Sequence, residues 1–132
     1  MLYLLVFGNP YLNEDNLAIT IADSMLKDRV KGIEIVKCIS PEEVMNYTDK
    51  DFMILDVVKG AKDVMFIEDI DRLKASNTVT MHDFDLGFFL KLMKETGQIN
   101  SVRIIGMPQE GDIGDLKKKI LSLIPIPSPK SA

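Results

Sequence analysis

The chain opens on a run of uncharged, largely apolar residues, Met1-Leu2-Tyr3-Leu4-Leu5-Val6-Phe7, which Gly8-Asn9-Pro10 breaks. Apolar residues in unbroken succession, without a polar residue at every second place, suit a strand covered on both faces. The run is too short to span a bilayer and lacks the basic leader of a signal peptide. Two later segments read as strands of the same sheet: Asp51 to Val58, built on Phe52-Met53-Ile54-Leu55, and Ser101 to Met107, built on Val102-Arg103-Ile104-Ile105. Strands buried on both faces need helices above and below them.

The intervening stretches supply those helices. Leu17, Ile19, Ile21, Ala22, Met25 and Leu26 stand close to helical spacing, with Asn13 as a candidate N-cap and Gly32 as a candidate C-terminal stop. Acids lead this stretch and Lys27, Arg29 and Lys31 close it, the charge order that a helix dipole favours. Ile33-Glu34-Ile35-Val36-Lys37-Cys38 alternates as a strand, and Ser40-Pro41-Glu42-Glu43 begins a short helix that reaches Tyr47. Segments 63–71 and 77–80 are weaker strand candidates. Leu86 to Met93 is a strongly apolar helix stopped by Gly97, and Asp112 to Ile124 is an amphipathic closing helix ended by Pro125, Pro127 and Pro129.

Strand and helix alternate, so the expected fold is α/β: a three-layer α/β/α sandwich around a mostly parallel, twisted five-stranded sheet of the phosphorylase/hydrolase-like kind. Residues 1–124 form one domain and 125–132 a proline-rich C-terminal tail. At 132 residues the chain can bury one hydrophobic core without a disulfide or structural metal. Its charge of −4 is mild and its lysines are scattered, apart from Lys117-Lys118-Lys119; nucleic acid is therefore not an expected partner. No apolar run is long enough for membrane insertion. Cys38 is the only cysteine, which excludes an internal disulfide and suits a reducing cytoplasm.

In open parallel sheets, ligands gather beyond the carboxyl ends of the strands. Three polar positions should reach that edge. Glu14 and Asp15 follow the first strand, and either complement a helix N-terminus or carry chemistry. Asp56 ends a buried apolar run, where a carboxylate must bond to backbone amides or hold a cation. His82, the only histidine, precedes the apolar helix and is either structural or a ligand. Two carboxylates and one imidazole would leave open positions on a divalent metal, and imidazole suits nickel or zinc better than magnesium.

These residues lie in blocks that resemble hydrogenase maturation endopeptidases. Gly8-Asn9-Pro10-Tyr11-Leu12-Asn13-Glu14-Asp15-Asn16 is similar to the family's opening glycine-asparagine block with two acids. Ile54-Leu55-Asp56-Val57-Val58-Lys59-Gly60 resembles the second block, and Thr80-Met81-His82-Asp83-Phe84-Asp85-Leu86 the third. Val102-Arg103-Ile104-Ile105-Gly106-Met107-Pro108 resembles a late strand ending in glycine. The blocks occur in the family's order across residues 4–108. Ala18 and Asp85 depart from it, each standing where the family usually has glycine.

The resemblance implies an enzyme that removes the C-terminal extension of a nickel–iron hydrogenase large-subunit precursor after nickel insertion. It implies that Asp15, Asp56 and His82 contact nickel and are the catalytic and metal-binding set, with the nickel supplied by the substrate. Glu14 matches the first acid of the opening block. Two other readings compete: a receiver-like signalling domain phosphorylated at Asp56, and a catalytically silent homologue that binds partners in hydrogenase assembly. A receiver would carry its acid pair closer to the first strand and a lysine after Ile105. Cys38, on an expected strand, and the absence of a serine elbow motif argue against a covalent nucleophile.

Overall fold

The structure, a computed structural model, describes residues 1–7, 16–59, 61–68, 79–80, 88–99 and 102–125. Its strands are β1 (Leu2–Phe7), β2 (Ile33–Cys38), β3 (Phe52–Lys59), β4 (Met65–Ile67), β5 (Val79–Thr80) and β6 (Ile104–Met107). Its α-helices are α1 (Asn16–Asp28), α2 (Phe88–Glu95) and α3 (Ile113–Leu123), and a 3₁₀ helix spans Pro41–Tyr47. Five strands lie side by side in the order β2-β1-β3-β6-β4, while β5 pairs with β3 away from this row. β2, β1, β3 and β6 are parallel; β4 is antiparallel to β6, and β5 to β3.

The pleat divides the apolar runs between two cores. Leu4 and Val6 of β1, Met53, Leu55 and Val57 of β3, and Ile105 and Met107 of β6 face one side, where Ala18, Ile21, Ala22 and Met25 of α1 and Leu116 and Ile120 of α3 cover them. Leu5, Phe7, Ile54 and Ile104 face the other side, with Val44 of the 3₁₀ helix, Met93 of α2 and Ile99. Successive side chains of a strand point to opposite faces, so unbroken apolar runs satisfy both layers at once. Each large aliphatic side chain removed from water in this way contributes about 1.5–3 kcal/mol. The expected three-layer α/β sandwich is the observed one.

Local chemistry sets the element ends. Helix α3 begins where Asp112 Oδ2 accepts the Asp115 N–H at 2.9 Å, satisfying an amide that has no partner within the helix. Glu43 turns back on the start of the 3₁₀ helix, its Oε2 accepting the N–H groups of Ile39 at 2.7 Å and Ser40 at 2.8 Å. One expectation shifts: α1 ends at Asp28, and Arg29 rather than Gly32 takes the first left-handed position, at φ 51°. Gly32, at φ 85°, instead shapes the turn into β2. The candidate cap Asn13 and most of the proline-rich tail lie outside the described residues.

β1 sits between β2 and β3, so the chain leaves β1 to one side and later returns to its other side. Between β1 and β2 it passes through α1 on one face, and between β2 and β3 through the 3₁₀ helix on the other. This reversal makes a topological switch point between β1 and β3, and the crevice of such a sheet opens there at the carboxyl ends of the strands.

Candidate active site

Asp56 lies at that switch point. In the parallel register Val6 is beside Leu55, so Asp56 follows on β3 as β1 reaches its last residue, Phe7. On its other flank Asp56 is paired with Gly106 of β6. It shares the face of Ile54, the face covered by α2 and the 3₁₀ helix. The side chain is fully buried, the one charged residue among the buried side chains described. Its Oδ1 accepts the N–H of Val57 at 2.8 Å. Of the two sequence alternatives for Asp56, the bond to a backbone amide is the one observed, at Oδ1.

Asp15 and His82 lie outside the described residues, as does Glu14. Their flanks are described. Asn16, directly after Asp15, begins α1. Thr80, two residues before His82, pairs with Val58, two residues after Asp56. Phe88, six residues after His82, begins α2, the helix whose Met93 packs on the face that carries Asp56. Among the described residues, no three His, Cys, Asp or Glu side chains gather closely enough to hold a metal ion.

Gly106 has a physical reason to be glycine. A Cβ added there would stand 2.5 Å from Val58 Cγ2 and 2.9 Å from Met65 Cγ, inside the closest approach that carbon atoms tolerate. The sequence motif pointed to this glycine, whereas nothing pointed to Met65. A methionine in an apolar triplet has the signature of any core residue, and only the strand pairing brings it to Gly106.

Cys38 ends β2, buried beside Phe7. Burial, and then the negative charge of Glu43, push its thiol from 9.0 up to about 12. The thiolate is the nucleophilic form, so Cys38 is inert near neutrality. Iodoacetamide at pH 8 should leave the folded protein unmodified and label it fully in denaturant; rapid labelling of the native protein would contradict this environment. Because the folded thiol holds its proton more tightly than the unfolded one, its contribution to stability is complete below about pH 9 and lost as pH rises toward 12.

No family profile matches the chain, and no curated protein matches it. Solved structures do. The [NiFe] hydrogenase maturation protease HybD from Thermococcus kodakarensis superimposes with a TM-score of 0.66 at 16% identity, over 93% of this chain and 99% of that one. A hydrogenase 3 maturation protease gives 0.66 at 18% identity, over 92% and 87% of the two chains. The hydrogenase maturating endopeptidase HybD from E. coli gives 0.64 at 17% identity, over 92% and 91%. The chain thus has the fold of the hydrogenase maturation proteases along nearly its whole length. At these identities the likeness is one of fold.

Proposed function

We propose that this protein is an endopeptidase that removes the C-terminal extension of a nickel–iron hydrogenase large-subunit precursor, acting in the cytoplasm once nickel is in place. The observation that carries this reading is the position of Asp56. It is a buried carboxylate at the β1/β3 switch point, beside the strand pairing that leads the chain toward His82. The maturation-protease fold and the ordered sequence blocks support the same assignment.

In this reading Asp15, Asp56 and His82 recognise nickel that the precursor's own ligands already hold. Three side chains leave positions on the metal for those ligands and for water. The substrate's nickel polarises the scissile carbonyl, and Asp15 or Asp56 takes a proton from the attacking water. The inert Cys38 thiol agrees with a reaction that has no thiol nucleophile. No described helix is long and apolar enough to cross a membrane.

The test compares nickel-loaded and nickel-free precursor, following release of the C-terminal peptide by mass spectrometry. The wild-type chain should cleave only the loaded form, and Asp15→Ala and His82→Ala should each abolish cleavage with their circular dichroism unchanged. Full cleavage by both variants would overturn the assignment. A stable complex with loaded precursor and no cleavage would instead make the chain a silent binding partner. The receiver reading fits the fold less well, because receiver sheets are wholly parallel with strand order 2-1-3-4-5, whereas β4 here runs antiparallel beside β6. A small phosphodonor should accordingly leave Asp56 unlabelled.

A further inference from the structure

Three residues form one row across adjacent strands on the face that carries Asp56. Asp56 of β3 is paired with Gly106 of β6, and Gly106 with Met65 of β4. The middle residue has no side chain, and its neighbours occupy the vacant space. The position of a Gly106 Cβ is 2.5 Å from Val58 Cγ2, 2.9 Å from Met65 Cγ and 3.4 Å from Met65 Sδ. Met65 therefore leans over Gly106, filling the notch next to Asp56.

Asp56 is fully buried, so a substrate group that reaches it has to displace something. The two side chains in the notch differ in how readily they move. Val58 is buried, β-branched and borne on the same strand as Asp56, and it has one stiff torsion. Met65 is half-buried on a three-residue strand at the end of the row, and its unbranched thioether turns about three single bonds. Withdrawal of Met65 would open a space one thioether wide above Gly106 without altering any strand pairing.

We propose that Met65 is a displaceable plug of the Asp56 site. It fills the notch over Gly106 in the free protein and withdraws when a short substrate side chain, of about its own girth, enters beside Asp56. The inference rests on the endopeptidase reading and makes Met65 a positioning residue of that reaction.

Two measurements test it on the full chain with nickel-loaded precursor. The first is the methyl resonance of Met65 in ¹³C-methionine-labelled protein, assigned by its disappearance in Met65→Leu. It should shift when precursor is added. The second is the division between KM and kcat. Met65→Ala should lower KM about fivefold at unchanged kcat, the scale of ordering one rotamer-rich side chain. Met65→Phe, a stiffer and larger plug, should raise KM by a similar factor, and Met65→Leu should stay near wild type.

A purely structural role would lower thermal stability and leave KM unmoved. Normal processing with a stationary Met65 methyl and an unchanged KM in Met65→Ala would overturn the plug while leaving the endopeptidase reading intact. Failure of the wild-type chain to process loaded precursor would overturn the endopeptidase reading itself. Should Met65→Ala not fold, the wild-type methyl signal and the Met65→Phe kinetics still decide the matter.

Discussion

Asp56→Asn should lower processing of nickel-loaded precursor by about 100-fold or more, the usual scale for removing one charge-stabilising group from a reaction centre. The substitution keeps the shape of the side chain and leaves an oxygen able to accept the Val57 N–H, which lies 2.8 Å from Oδ1. It removes the negative charge that a divalent metal would require. Stability should change little, within about 1 kcal/mol, because the substitution keeps the size of the side chain and its bond to the Val57 amide. Precursor cleavage assays and thermal melts on the same preparation separate the two effects. Cleavage at the wild-type rate with unchanged melting would make Asp56 a structural carboxylate and remove the central support for the proposed chemistry.

Gly106→Val should be the most destabilising single change near the site. Its Cβ alone would meet Val58 Cγ2 at 2.5 Å and Met65 Cγ at 2.9 Å, and the added methyl groups need further room in a layer that is already filled. Overpacking of this kind costs about 1–3 kcal/mol, and the upper end corresponds to a fall of roughly 10 °C in melting temperature for a domain of this size. Gly97→Ala is the instructive contrast. Gly97 lies at φ 79° with nothing within 4 Å of an added Cβ, so its cost of about 1 kcal/mol is purely conformational. If Gly106→Val melted like wild type, β4 would be free to move outward and the tight Met65–Gly106–Val58 contact would be wrong. Processing should fall in step with stability, since Gly106 is the direct strand neighbour of Asp56.

Sequence and structure agree most where one residue type has one physical use. The apolar runs at β1, β3 and β6 require cover on two faces, and the two cores provide it. Glu43 at the start of the 3₁₀ helix and the stop at Gly97 act locally, within a few residues, and are legible for that reason. Arg29 was not legible as the end of α1, because a residue with a Cβ rarely adopts a left-handed conformation and Gly32 stood nearby as the ordinary choice. The antiparallel direction of β4 was equally hidden. A three-residue apolar strand carries no mark of direction, which depends on the path of the chain around it.

The candidate site divides in the same way. Asp56 stands out in the sequence because a carboxylate after four apolar residues is costly unless something engages it. Asp15 and His82 stand out by their loops at the expected carboxyl edge of the sheet and by the order of the sequence blocks; both lie outside the described residues, and the pairing of Thr80 with Val58 is the described feature that leads toward His82. By itself, the sequence determined the layers of this protein and the identity of the one buried carboxylate among the described residues, because hydrophobic periodicity and desolvation act residue by residue. Only the tertiary structure decided that Asp56 lies at the reversal of strand order, that Gly106 is its strand neighbour, and that Met65 stands on the far side of Gly106. Those relations arise from strand pairing between segments far apart in the chain, which no local pattern encodes.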